Sequence, residues 1–291
     1  MPEGPEIRLA ADRVARILVG QPIVEANFGL PDLRRFAKKL IGTTVTAVDT
    51  RGKAMLTRFD NGLTLYSHNQ LYGRWYTTRE RRMPQTGRQL RVELHTPTHS
   101  ALLYSASDIE VLTDRQLSRH PFLLRIGPDI LDPQLTLQDI VDRLGIRQFC
   151  NRALGSLYLD QSFLAGVGNY LRSEILWAAS VNPARKPCSL DSAILRSVAR
   201  ETLRISKRSY RNRGVTVAPR LARELKASGK AYENYRFNVY GRDGELCYRC
   251  DTAIARRLMG SRSLFVCGSC QPHRMALAIR SAHFAYTLGP G

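Results

Sequence analysis

Two cysteine knuckles near the C-terminus restrict the fold most: Cys247-Tyr-Arg-Cys250 and Cys267-Gly-Ser-Cys270. Two Cys-x2-Cys pairs at this separation have the spacing of a four-thiolate zinc site. Both knuckles must then close over one ion. A ribbon this small has too little core of its own, so the metal supplies the folding energy. With all four positions taken by Cys247, Cys250, Cys267 and Cys270, the expected Zn2+ is structural and has no catalytic role. Between the knuckles runs Arg256-Arg257-Leu258-Met259-Gly260-Ser261-Arg262-Ser263, a basic hairpin that the ion would stiffen. The remaining Cys150 and Cys188 read as packing residues rather than a disulfide.

The other end of the chain carries the reactive chemistry. It opens Met1-Pro2-Glu3-Gly4-Pro5-Glu6. Proline in second place generally permits removal of the initiator methionine, which would make the Pro2 nitrogen a free secondary amine. An α-amino group titrates near pH 8, roughly two units below lysine, so a useful fraction is a nucleophile at neutral pH. Attack of such an amine on a sugar aldehyde carbon gives an iminium, an electron sink for later bond breaking. Glu3 and Glu6 stand beside it. Ile7, Ala10, Ala11, Val14, Ile17 and Leu18 recur at helical spacing, so a buried helix runs from near Pro5 to Gly20. Acidic residues also suit a helix N-terminus for electrostatic reasons alone, and that plainer role stays open for both glutamates.

The formal net charge is +19, from 44 Lys and Arg against 25 Asp and Glu. An excess this large favours a polyanionic partner, nucleic acid or an acidic membrane surface. Arginine predominates, which fits bidentate phosphate contacts. No apolar run approaches the ~20 residues needed to cross a membrane, and no signal peptide is visible. A soluble intracellular protein of about two domains is expected at this length.

Along the chain, Pro22 to Phe28 reads as a strand and Asp32 to Ile41 as a short basic helix. From Thr44 the pattern turns to strands carrying Val45, Ala47, Met55, Leu56, Leu63, Leu65, Val92, Leu94 and Leu102. Turns fall at Arg51-Gly52, Asp60-Asn61-Gly62 and Gly87. A two-layer β region with the first helix packed on it is expected. Lys53 follows the Arg51-Gly52 turn and is either a solvated charge or, beside a glycine that admits close approach, a contact for phosphate or a proton carrier. Tyr66-Ser67-His68-Asn69-Gln70-Leu71-Tyr72-Gly73 is either a hairpin with Leu71 and Tyr72 in the core or a plug that fills a duplex when a base is extruded.

Pro121 to Pro133 reads as an interdomain linker with Arg125 at its start. Helices are expected over Leu135–Leu144, Leu157–Ala165, Tyr170–Ala179 and Leu190–Ile205. Gly166-Val167-Gly168-Asn169 forms the turn between the second and third. Its backbone amides at a helix start would suit a phosphate, with Asn169 capping the helix. From Arg204 to Arg223 the charges are all basic, which fits a phosphate-facing surface or a solvated face. Residues 271–291 extend past the second knuckle and would form a short helix or remain disordered.

Together these stretches resemble the formamidopyrimidine-DNA glycosylase and endonuclease VIII family of DNA repair enzymes, over nearly the whole chain from Met1 to Cys270. The opening Pro2-Glu3-Gly4-Pro5-Glu6 paired with the four-cysteine finger is the specific signature. The segment from Leu159 through Asn169 looks like the family's helix-two-turn-helix. The Gln70-Leu71-Tyr72 triplet resembles the branch that acts on oxidised pyrimidines; the purine-directed branch usually places a methionine there.

The resemblance implies an α+β multidomain fold: an N-terminal catalytic β-sandwich with flanking helices (1–125), a linker (126–134), a helix-two-turn-helix domain (135–230), a zinc finger (236–271) and a tail (272–291). It implies that Pro2 is the Schiff-base nucleophile at C1′ and Glu3 the general acid-base, with Glu6 a helper. Lys53 would contact phosphate and donate a proton during β-elimination, and Arg262 would grip the lesion phosphate and assist δ-elimination. Gln70, Leu71, Tyr72, Arg125 and Asn169 would contact DNA. The partner would be damaged double-stranded DNA, bound by a monomer in a bacterial cytoplasm, at the nucleoid. Two other readings stand beside the oxidised-pyrimidine glycosylase and lyase: an enzyme for oxidised purines such as 8-oxoguanine, and a zinc-finger DNA binder without catalysis.

Overall fold

The computed structural model describes residues 2–273. Helix α1 (Gly4–Leu18) carries Pro5 in its first turn and buries Ile7, Ala10, Ala11, Val14 and Leu18 on one face. It stops two residues before Gly20, whose φ of +75° continues no helix.

Against that face lie two four-stranded antiparallel sheets. One comprises β2 (Val45–Arg51), β3 (Ala54–Phe59), β4 (Leu63–His68) and β8 (Asp108–Thr113), in that order. The other runs β1 (Glu25–Phe28), β6 (Leu90–His95), β7 (His99–Tyr104), β5 (Arg74–Arg79). Val14 and Leu18 of the helix meet Met55, Leu65, Leu94 and Leu103 in the shared core, so the expected two-layer β region is present.

Strand β1 begins at Glu25, later than expected from Pro22, because the chain changes partner there. The amide of Ile23 bonds to Thr43 and that of Val24 to His95. The basic segment after it is not one helix: a 3-10 turn over Pro31–Phe36 leads into the single turn α2 (Ala37–Leu40). Short helices α3 (Asp114–Leu117) and α4 (Pro121–Arg125) follow the last strand.

Residues 126–134 are bonded to both halves of the molecule. Gly52 N–H donates to Asp129 at 2.6 Å. Ala165 N–H donates to the Pro128 carbonyl at 2.9 Å, and Ile130 N–H to Ala165 at 3.1 Å. The linker expected from Pro121 therefore opens with a helix and continues as a fixed crossing.

The second half is helical: α5 (Leu137–Gly145), α6 (Arg147–Cys150), α7 (Leu154–Leu157), α8 (Asn169–Ala178), α9 (Ser192–Arg211), α10 (Pro219–Ala227) and α11 (Tyr232–Tyr235). Leu144, Phe149, Leu157, Phe163, Leu171, Ile175 and Val198 share its core. Helix α9 runs six residues beyond the expected Ile205, because Ser206 and Ser209 continue its buried face. The helix expected over Leu157–Ala165 is instead one turn ending at Leu157. Asp160 takes the Ser162 amide at 2.8 Å and its hydroxyl at 2.7 Å, and Gln161 takes the Gly166 amide at 3.1 Å. Such side-chain bonds compete with helix continuation.

Strands β9 (Ile254–Met259) and β10 (Arg262–Cys267) form the finger hairpin around Gly260. Val239, Ile254 and Phe265 pack it on Trp177 of α8. The expectations for 274–291 lie outside the described residues.

Candidate active site

The site starts at Glu3. It precedes α1, yet its carboxylate completes a different helix. Its oxygens accept from Gly168 N–H at 2.7 Å, Tyr170 N–H at 2.7 Å and Leu171 N–H at 3.2 Å. These are the first amides of α8, which otherwise have no partner within the helix. Gly4 N–H bonds to the Gly166 carbonyl at 2.8 Å, so the chain start lies flat on the glycine turn. A Cβ at residue 168 would stand 2.4 Å from Glu3 Cδ; only glycine admits the carboxylate.

Two expectations are corrected here. Both glycine amides of the turn are taken by the protein's own side chains, Gly166 N–H by Gln161 and Gly168 N–H by Glu3, and so are not open to a phosphate. Nor does Asn169 cap α8: its Oδ1 accepts from Arg172 Nη2 at 2.5 Å instead.

Glu3 is 2% exposed. Burial, the largest influence, pushes its carboxyl up to about 7. Lys53 opposes that rise, Glu6 adds to it, and the Tyr170 and Leu171 amides oppose it. Glu3 thus titrates near neutrality, as a group that must both give and take a proton should. Lys53 sits at the tip of the β2–β3 hairpin, where Gly52 at φ +63° makes the two-residue turn. Burial lowers its ammonium, Glu3 raises it, and Arg262 lowers it again.

Glu3, Lys53, His68, Leu71, Asn169 and Arg262 line one cavity of about 870 Å³, together with the aromatic Phe122 and Tyr240. Three segments distant in sequence therefore deliver the expected acid-base, the lysine and the finger arginine to one space. Pro2 and Glu6 line an adjoining cavity of about 250 Å³ with Asn69, Tyr72 and Arg13. Leu71 reaches both cavities.

Glu6 accepts from Glu3 N–H at 3.0 Å. The Tyr170 hydroxyl lies 3.0 Å from each of its oxygens, and Arg236 is 3.4 Å away. Burial raises the Glu6 carboxyl. Glu6 thus braces the helix start, while Glu3 faces the cavity.

The loop carrying Gln70, Leu71 and Tyr72 is built outward. Leu71 is 54% and Tyr72 is 68% exposed, so neither is core, whereas Trp75 a few residues on is buried in it. Gln70, at φ +47°, accepts from the Ser107 hydroxyl at 3.0 Å. Arg125 faces elsewhere, into a cavity of about 540 Å³ with Arg51 and Arg143. The basic run is partly neutralised by acids just outside it: Arg204 pairs with Glu201 and Arg220 with Glu224.

Sequence reasoning passed over Arg172, Glu174 and Arg236. Arg172 is fully buried beside Asn169. Glu174 takes the amides of Asn238, Val239 and Tyr240, tying α8 to the approach of the finger. Arg236 stacks 4.3 Å over Phe237. A charged residue on the inward face of a helical pattern was the available signal.

The four Sγ atoms of Cys247, Cys250, Cys267 and Cys270 all lie within 4.8 Å of one another. Tetrahedral zinc with thiolates at about 2.3 Å needs edges of roughly 3.8 Å. The observed separations of 3.3, 3.4 and 3.9 Å bracket that value. The cluster fits a metal ion.

Residues 1–107 match the formamidopyrimidine-DNA glycosylase N-terminal domain, and 126–219 the formamidopyrimidine-DNA glycosylase H2TH domain. The chain is 48% identical over 271 residues to "Endonuclease 8" of Escherichia coli O17:K52:H18 (strain UMN026 / ExPEC), covering 93% of this chain and 100% of that one. "Endonuclease 8" of Salmonella paratyphi B (strain ATCC BAA-1250 / SPB7) is 47% identical over the same shares. A solved complex of Lactococcus lactis Fpg (MutM) with N7-benzyl-Fapy-dG containing DNA superposes with a TM-score of 0.76 at 20% identity, covering 93% of this chain and 100% of that one. Among the described residues no helix is long and apolar enough to cross a membrane.

Proposed function

The chain belongs to the formamidopyrimidine-DNA glycosylase and endonuclease VIII family, and on that premise we propose that it is a base excision repair enzyme, a bifunctional DNA glycosylase and AP lyase. Its substrate class is damaged double-stranded DNA carrying oxidised pyrimidines such as thymine glycol. The near-half identity to proteins named Endonuclease 8 and the Gln70-Leu71-Tyr72 plug support the pyrimidine preference. It acts as a monomer in the cytoplasm, at the nucleoid.

The observation that carries the reading is the convergence of Glu3, Lys53, Asn169 and Arg262 on one cavity, in a chain whose second residue is proline. Once Met1 is removed, the Pro2 nitrogen attacks C1′, the base leaves with its electron pair, and an iminium forms. Glu3, titrating near 7, protonates the opening sugar and afterwards serves as base. The iminium acidifies the C2′ proton; its loss expels the 3′ phosphate, with Lys53 as proton donor. A second elimination expels the 5′ phosphate, its charge held by Arg262. Water then releases the sugar fragment from Pro2, leaving a one-nucleotide gap.

Leu71 and Tyr72 fill the space vacated by the extruded nucleotide while Gln70 bonds the orphaned base. Extrusion costs a few kcal/mol, least for a damaged and weakly paired base. Arg125 contacts the backbone outside the main cavity. The four cysteines hold one structural Zn2+, which fixes the hairpin bearing Arg262 and takes no part in the reaction. In this reading the catalytic sandwich runs to 125, the crossing to 134, the helical DNA-binding domain to 230 and the finger from 236 to 271.

Borohydride trapping on an abasic duplex tests the lyase chemistry. A covalent protein–DNA adduct is expected, and its absence with methionine-free protein favours a non-catalytic binder. Side-by-side cleavage of thymine glycol and 8-oxoguanine duplexes tests the substrate preference; faster excision of the purine overturns it.

A further inference from the structure

Arg172 lies within α8, 0% exposed, and no carboxylate among the described residues comes within 4.0 Å of it. A buried guanidinium without an ionic partner is costly, and proteins seldom keep one without a use for it. Its bonds indicate the use. Nη1 donates to the Gly155 carbonyl at 2.8 Å. Nη2 donates both to Asn169 Oδ1 at 2.5 Å and to the Ser263 carbonyl at 2.9 Å. Its Nε is buried with no partner. One planar side chain therefore grips the first residue of α8 and the residue next to Arg262 on the finger hairpin.

Asn169 and Arg262 line the same cavity but come from different domains. Helix α8 also meets the hairpin through the long 3.5 Å bond from Phe265 N–H to the Ser173 hydroxyl and through apolar side-chain packing at Trp177. Among the described residues, the Arg172 bonds alone tie the Asn169 side chain to the backbone of Ser263, the residue after Arg262. We propose that Arg172 is a positioning residue that makes Asn169 and Arg262 a single rigid pair of prongs for one backbone phosphate. A phosphate seated between them would add to the counter-charge that Glu3 supplies to the buried guanidinium from beyond ion-pair distance.

This rests on the reading of Asn169 and Arg262 as phosphate contacts. Holding Asn169 by its carbonyl oxygen turns its amide nitrogen, a donor, toward the cavity. Holding the Ser263 carbonyl fixes the backbone from which Arg262 projects. Arg172 touches no substrate and acts through these two residues.

The test measures affinity of the full chain for a duplex with a tetrahydrofuran abasic analogue, in Arg172→Met, Arg262→Ala and the double variant. Each single change is expected to weaken binding about tenfold, the equivalent of one charge-assisted bond. The double variant should bind no more weakly than the poorer single one. A loss equal to the product of the single losses, or wild-type binding by Arg172→Met, overturns the proposal.

On an abasic substrate, the ratio of twice-cut to once-cut product should fall in Arg172→Met. That ratio does not depend on how much enzyme is folded, so an unchanged ratio marks a merely structural role. If Arg172→Met does not fold, Arg172→Lys carries the test, since it keeps the charge and one bond. It should lie between wild type and Arg262→Ala in both measures, and a wild-type value in both overturns the proposal. Borohydride trapping of wild-type protein separates the two levels. Its failure sinks the lyase reading, while the binding cycle still decides the role of Arg172.

Discussion

The finger and the start of α8 are built from opposite halves of the same electrostatic problem. In the finger, four sulfur ligands converge within 4.8 Å of one another. At α8, backbone N–H donors converge, and the protein supplies the anion itself from residue 3. The first arrangement is incomplete without an external ion. The second is complete, and its anion also lines the cavity. A set of donors in a sequence therefore names a kind of partner without saying whether the chain already contains it.

Removing zinc should break the comparison most severely. A structural zinc contributes on the order of 10 kcal/mol to the fold that holds it. Chelation is expected to abolish strand cleavage while the sandwich around Leu65 and Leu94 stays folded. Zinc release followed alongside cleavage and a thermal transition checks this; full cleavage by zinc-free protein contradicts it.

The internal anion makes a smaller, pH-dependent contribution. Glu3 titrates near 7 in the folded chain against 4.5 as a free side chain. The folded state thus binds the extra proton between those values. Its stabilisation is present below pH 4.5 and is lost as pH rises through 7. At about 1.4 kcal/mol per unit, the loss is bounded by roughly 3 kcal/mol. Denaturant titrations of wild type and Glu3→Gln should diverge across this window, with the variant flatter; parallel curves contradict the assignment.

Gly168→Ala sharpens the same point sterically. The added methyl meets Glu3 at 2.4 Å, and overpacking of this kind costs about 1–3 kcal/mol. The cost should vanish when Glu3 is also replaced by alanine. A cost that persists in the double variant would locate the strain elsewhere. The mildest change is at the plug. Leu71→Ala and Tyr72→Ala, being exposed, should shift stability by less than about 0.5 kcal/mol. Excision of thymine glycol should slow while cleavage at a preformed abasic site persists. Equal loss of both activities contradicts a role in extrusion.

Much of this architecture was legible in the chain. Local periodicity located α1, the strands of the sandwich and the knuckles, because each signal lies within a few residues. Leu71 and Tyr72 were ambiguous, since an apolar residue after a strand is core or plug according to where the loop points. The helix expected over Leu157–Ala165 failed because Asp160 and Gln161 spend their side chains on nearby backbone. The bond between Glu3 and the Gly168 amide spans 165 residues, and the grip of Arg172 on Ser263 spans 91. No window along a sequence contains either pair. The glycines at 166 and 168 were visible, but their reasons were not: Gly166 takes a φ of +99°, and Gly168 admits the Glu3 carboxylate.

Peptide mapping of the borohydride-trapped complex addresses the proposed chemistry most directly. The expected product carries deoxyribose on the nitrogen of Pro2, in protein that has lost Met1. A trapped sugar on Lys53, or an active enzyme that retains its initiator methionine, would contradict the proline mechanism.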